Sequence, residues 1–140
     1  MKGIVVGFLM FGVCVLICAD RPGTEPAPTA KVIESLQGPA LFQAYCAVCH
    51  GKEGKGGGPM AMALKANPPD LTRMAARNHG KFPLARVQKI ILSGEEIPAG
   101  HGTREMPVWG PVFSQITWDE DLGRMRVYNL AKYIESLQRK

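Results

Sequence analysis

The sequence predicts an all-α domain of about four to five helices, on three observations. Apolar residues recur at helical spacing in several stretches. No run reads as a convincing strand. The last helical stretch opens on a capping signature, Thr117-Trp118-Asp119-Glu120. In chain order, Pro39 suits the first position of a helix running to about Cys49, because its missing N–H is one that a helix start leaves unpaired anyway. Gly38, Phe42, Tyr45, Cys46 and Cys49 recur at i, i+4, i+7, i+8 and i+11, so one face holds the small residue, the aromatics and both thiols. Gly51 to Pro59 is a loop by composition; it lacks the Gly-Lys-Ser/Thr that would close a phosphate loop. Short helices are expected near Met60–Lys65, Asp70–Ala76 and Leu84–Leu92. The last of these turns Leu84, Val87, Ile90 and Ile91 inward and stops at Gly94. Residues 95–116, rich in Gly and Pro, read as a long loop, and such loops in small domains usually serve function. The final helix carries Leu130, Tyr133, Ile134 and Leu137 as its apolar stripe, with Arg139-Lys140 suiting its C-terminal end. No internal repeat is present.

Ahead of this domain stand two segments of other character. Lys2 followed by fourteen apolar residues from Ile4 to Ile17 fits the core of a secretory signal and is short for a spanning helix, which needs about 20 residues. Cleavage after Ala19 is the expectation for residues 1–19, with lipidation at Cys18 and a retained N-terminal membrane anchor as the alternatives. Each places the folded part outside the cytoplasm. Residues 20–34 form a Pro-rich linker containing Arg21-Pro22-Gly23 and Glu25-Pro26-Ala27-Pro28. The remainder, residues 35–140, suits one small domain whose apolar core is thin on its own.

The chemistry lies in Cys46-Ala47-Val48-Cys49-His50. Two thiols on adjacent turns of one helix can add across the two vinyl groups of a haem, and the histidine directly after them presents its imidazole to the iron. A zinc site needs a second ligand pair. The other cysteines, Cys14 and Cys18, lie in the leader, and His79 and His101 stand alone. A thioredoxin-like pair expects a preceding strand in a βαβ unit, and none precedes Cys46. One covalently attached haem c is the cofactor these residues point to. It would also supply apolar surface that so small a core lacks.

With that motif in place, the chain from Gly38 to Gln138 resembles the class I monohaem cytochromes c. The family has a glycine and an aromatic eight and four residues before the first haem cysteine, here Gly38 and Phe42. The resemblance implies a small cytochrome c fold in which the N-terminal helix crosses the last one at Leu130 and Tyr133. It implies that Pro59 offers its carbonyl to the imidazole Nδ1–H of His50, fixing the ring. It also implies a distal methionine ligand in a loop before the last helix, a description that Glu105-Met106-Pro107-Val108-Trp109-Gly110 fits. The rivals of Met106 are Met60, Met62, Met74, Met125, His79 and His101. Met60 and Met62 stand only ten and twelve residues past His50, and Met74 and Met125 fall in helical patterns that read as core filler. Trp109 is either a propionate donor, as tryptophans in the family often are, or a partly buried core aromatic. His101, between two glycines, reads as an exposed loop residue.

Charge bears on partners. The whole chain has 17 Lys and Arg against 12 acids, net +5. Residues 51–90 concentrate the surplus, with eight basic side chains against Glu53 and Asp70. Steering to a redox protein with an acidic surface is one reading and an ordinary solvated surface the other. Nucleic acid is not indicated, since no binding motif is present. The expected function is therefore single-electron transfer by an exported haem protein that is not itself an enzyme. A dedicated haem subunit of a respiratory or dehydrogenase complex is the alternative. A five-coordinate peroxidase or gas sensor is disfavoured by the Met106-Pro107 loop and by the motif's position near the N-terminus of the domain.

Overall fold

Why Gly38 to His50 coil as they do begins with their spacing. The computed structural model describes residues 33–95 and 105–139. The leader, the linker up to residue 32, His101 and Lys140 lie outside the described residues. Pro39 sits in the first turn of helix α1 (Gly38–Leu41), where no N–H is needed. The chain then continues without a break through a π-helical turn (Phe42–Cys46) into α2 (Ala47–His50). The Ala47 N–H bonds the Phe42 carbonyl, five residues back, so the coil widens directly ahead of the two cysteines. Gly51, at φ 74°, ends it.

Three single 3-10 turns follow: Ala61–Ala63, Leu71–Arg73 and Ala76–Asn78. They replace two of the short helices expected from composition. Asp70 caps the second turn, its Oδ1 accepting from the Thr72 N–H at 2.9 Å and the Thr72 hydroxyl at 2.6 Å. Helix α3 (Leu84–Ser93) buries Val87 and Ile91 and stops at Gly94, whose N–H bonds the Ile90 carbonyl, as its periodicity predicts.

Helix α4 (Trp109–Gln115) lies inside the stretch expected to be loop, and that expectation is corrected here. Gly110 and Pro111 made the stretch read as irregular, yet both suit it. Pro111 falls in the first turn, whose donors have no intrahelical partner. Gly110 lies against α3, where a Cβ would come within 2.3 Å of the Leu92 carbonyl oxygen.

Helix α5 (Glu120–Ser136) packs against α1, α3 and α4. Its cap is Asp119, whose Oδ1 accepts from the Asp121 and Leu122 N–H groups at 2.9 and 3.0 Å. The capping box expected to start at Thr117 does not form. Trp118 takes φ 53° and breaks the approach, and the Thr117 hydroxyl instead accepts from the Arg126 guanidinium. Val127, Leu130, Ala131 and Ile134 form the buried stripe, with Tyr133 and Leu137 half-buried beside it. Met125, expected in the core, is 46 % exposed. No strand occurs among the described residues.

Two contacts lock α5 to the start of the domain. A Cβ on Gly38 would lie 2.3 Å from the Asn129 carbonyl oxygen and 2.7 Å from Tyr133 Cβ, so only glycine permits this approach. Phe42 and Tyr133 rings meet at 5.4 Å just beyond it. Arg126, 1 % exposed, donates to the carbonyls of Glu34, Ser35 and Phe113, tying the entering chain and α4 to α5 without any carboxylate.

Candidate functional site

The α1–α2 segment, the 64–78 stretch, α3 and the loop leading into α4 enclose a cavity of about 600 Å³. That volume is in the range of a cofactor site. Its walls are mostly apolar, with Leu71, Met74, Val87 and Ile90 among them, and Arg77, Arg86 and Glu105 at its border. Cys46, Cys49, His50, Met106 and Trp109 all line this one space. The chain thus gathers two thiols, an imidazole, a thioether and an indole from segments far apart in sequence.

The three motif residues are held by the loop behind them. The last carbonyls of α2 have no partner in the helix. Here the loop supplies them: Gly56 N–H bonds His50 O at 2.8 Å, Gly58 N–H bonds Cys49 O at 3.0 Å and Met60 N–H bonds Val48 O at 2.9 Å. The glycine run is what allows this return, since a Cβ on Gly58 would stand 2.4 Å from the Val48 oxygen. The cysteines and histidine are therefore presented on a helix end that cannot fray into water.

Electrostatics fit the same picture. Burial, with a smaller contribution from Cys49, pushes the free Cys46 thiol up to about 12, so it is protonated and ill suited to be a thiolate nucleophile or metal ligand. Among the described residues no group of three or more His, Cys, Asp or Glu side chains is arranged to hold a bare metal ion. Burial also lowers the His50 pKa below 6.5, and the Pro69 carbonyl acts in the other direction. The imidazole is accordingly neutral at neutral pH, with a nitrogen lone pair available. Its Nδ1 is fully buried and lacks a hydrogen-bond partner.

The expectation for Pro59 is corrected. Gly58 and Met60 bind the carbonyls of Cys49 and Val48, and this holds Pro59 on the exposed side of the helix end, outside the cavity lining. The backbone group that acts on the His50 ring is Pro69, although it falls short of hydrogen-bond geometry with Nδ1. The Asn67-Pro68-Pro69-Asp70 string was the available signal, a second proline after the histidine followed by a capping aspartate. Trp109 begins α4 half-buried, packed on Tyr45 at 5.4 Å and Phe113 at 5.7 Å, with its edge on the cavity.

Among the rivals of Met106, the structure separates most and keeps one. Met60, Met62 (97 % exposed), Met125 and the exposed His79 lie off the cavity. Met74 lines it, in the segment after the Leu71–Arg73 turn, and packs on the core as well. A short helix is expected from the sequence near Asp70–Ala76; the structure has two 3-10 turns there and makes Leu71, Met74 and Arg77 a wall of the cavity, a role that local spacing does not show.

The residues fit a covalently held haem: paired thiols at the spacing of its vinyls, a neutral imidazole with an orphaned buried Nδ1, a soft sulfur and an apolar enclosure. The family model for cytochrome c matches residues 35–138. No curated protein and no solved structure gives a match. The match spans nearly all of the described residues, whose regular elements are all helical, and the chain carries the Cys-x-x-Cys-His attachment motif; it belongs to the cytochrome c family, with covalently bound haem c as its cofactor and haem-based electron transfer as its chemistry.

Proposed function

We propose that this chain carries single electrons between redox proteins through a haem that Cys46 and Cys49 would hold covalently and whose iron His50 and Met106 would ligate. The observation that carries this reading is that one apolar cavity gathers Cys46, Cys49, His50 and Met106. Cys46 and Cys49 hold the group by thioethers. His50 donates its unprotonated nitrogen, kept unprotonated by burial. Met106 offers a thioether, a soft donor that favours the ferrous state and raises the potential. The iron, when bound, supplies the one-electron couple. The apolar walls exclude water, and the packed helices limit rearrangement as the charge changes. Arg77, Arg86 and the Trp109 indole border the cavity and are the donors suited to the propionates.

With His50 and Met106 both bound to the iron, no site would be left for a substrate, which fits a carrier and not an enzyme. The leader through residue 19 directs export to the periplasm, and it is cleaved after Ala19, lipidated at Cys18 or retained as an anchor. The basic surplus of residues 51–90 suits a partner with an acidic surface.

Carbon monoxide tests the carrier reading. A ferrous holoprotein with both positions occupied binds CO slowly at neutral pH. Rapid, complete CO binding by the parent protein would point instead to an open site and a gas-binding or peroxidase role.

A further inference from the structure

Both carboxylate oxygens of Glu105 accept from one main-chain N–H, that of Lys65, at 3.1 and 3.0 Å. The two residues stand forty positions apart and come from different loops. Lys65 follows the 3-10 turn Ala61–Ala63, and its N–H makes no backbone hydrogen bond among the described residues. That loop is anchored in turn to the haem-attachment helix, through the Met60 N–H on Val48 O and the Gly58 N–H on Cys49 O. Glu105 directly precedes Met106. No other side-chain hydrogen bond links residues 105–108 to the described residues, and Pro107 has no N–H to offer.

We infer that Glu105 is a positioning residue that latches the Met106 loop to the His50 side of the cavity and thereby sets how readily another ligand displaces the methionine. The inference rests on Met106 being the distal ligand. A thioether is a weak ligand for ferric haem, so its occupancy depends on how firmly the chain around it is held. A carboxylate on a backbone N–H is a charge-assisted bond, stronger than a neutral one, though water at this rim tempers it. Losing it leaves the covalent haem, His50 and the helices in place and frees only the loop.

Cyanide binding to the ferric holoprotein reads this directly, because cyanide enters only after the sulfur leaves. Glu105→Ala is expected to bind cyanide about fivefold faster than the parent. Glu105→Gln, whose amide oxygen keeps one acceptor, should fall between them, and Glu120→Ala, on the exposed start of α5, should match the parent. Equal rates for Glu105→Ala and the parent, in a parent that shows the far-red methionine–iron band, overturn the latch. A parent without that band overturns the Met106 assignment itself, so the two failures are told apart. A second measurement covers a variant that loses haem: amide exchange at Lys65 in the ferrous parent should be slow, and faster in Glu105→Gln. A Lys65 amide that exchanges freely in the parent also overturns the inference.

Discussion

The crossing of α1 and α5 and the loop at residues 105–108 are held by opposite means, the first behind the cavity wall and the second on its lining. At the crossing, backbone meets backbone: Gly38 lies so close to Asn129 and Tyr133 that no side chain fits, and the Asn129 amide donates to the Leu36 carbonyl at 2.8 Å. Leu41, Phe42 and Leu130 beside it are fully buried. At the loop, Met106 is half-buried and one carboxylate, Glu105, makes the hydrogen bond outward. A contact filled by atoms admits one packing, so it sets stability and fixes the cysteines and His50. A stretch held by partial packing of Met106 and one rim hydrogen bond can open without unfolding the rest, and on the proposed ligation that is where ligand exchange would occur.

The largest effect should come from breaking the crossing. Gly38→Val forces a side chain into the Asn129 backbone, which no rotamer relieves. Overpacking of this kind costs about 3 kcal/mol. For a domain of this size that is a fall of roughly 15 °C in the melting temperature of the holoprotein. A melt equal to the parent's would show that the helices do not meet as described.

Arg126 probes the same side by polarity in place of volume. Arg126→Met leaves the carbonyls of Glu34, Ser35 and Phe113 without their donor, at about 2 kcal/mol. The expected result is a lower melting temperature with an unchanged visible spectrum at 25 °C. A spectral change at that temperature would mean that this side governs ligation too, and the contrast between the two regions would fail.

The smallest effect concerns acid. Asp70 caps the turn that precedes Met74 and has its pKa lowered, first by the Thr72 hydroxyl and further by the Thr72 N–H, with Arg139 and Arg77 adding attraction. A lowered folded pKa means stability that is present above the ordinary carboxylate value near 4 and is lost as pH falls through the folded one. Asp70→Asn should therefore lose less in melting temperature between pH 5 and pH 3 than the parent does, by a few degrees. Parallel acid limbs for the two proteins would remove this role.

Much of this was legible before the structure. The Cys-x-x-Cys-His string, the Gly38 and Phe42 spacing and the stripe on α5 are local patterns, and local patterns report helices and attachment chemistry well. Three features were not. Helix α4 was hidden by Gly110 and Pro111, whose usual meaning is reversed by a first-turn position and a close approach to Leu92. The cap moved from Thr117 to Asp119 because a buried arginine from the middle of α5 claims the threonine hydroxyl. Pro69 took the place of Pro59 beside His50 because the glycine loop folds back on α2 and carries Pro59 outward. Each was decided by a partner distant in sequence, which spacing cannot show.

Whether His50 and Met106 share one iron is read from the far-red absorption of the ferric holoprotein. A thioether on low-spin ferric haem gives a weak charge-transfer band there. The band is expected in the parent and in Met74→Leu, and is expected to be lost in Met106→Ala with the haem still covalently attached. A band that survives Met106→Ala would contradict this ligation, and its loss in Met74→Leu as well would move the sulfur ligand to the other methionine of the cavity.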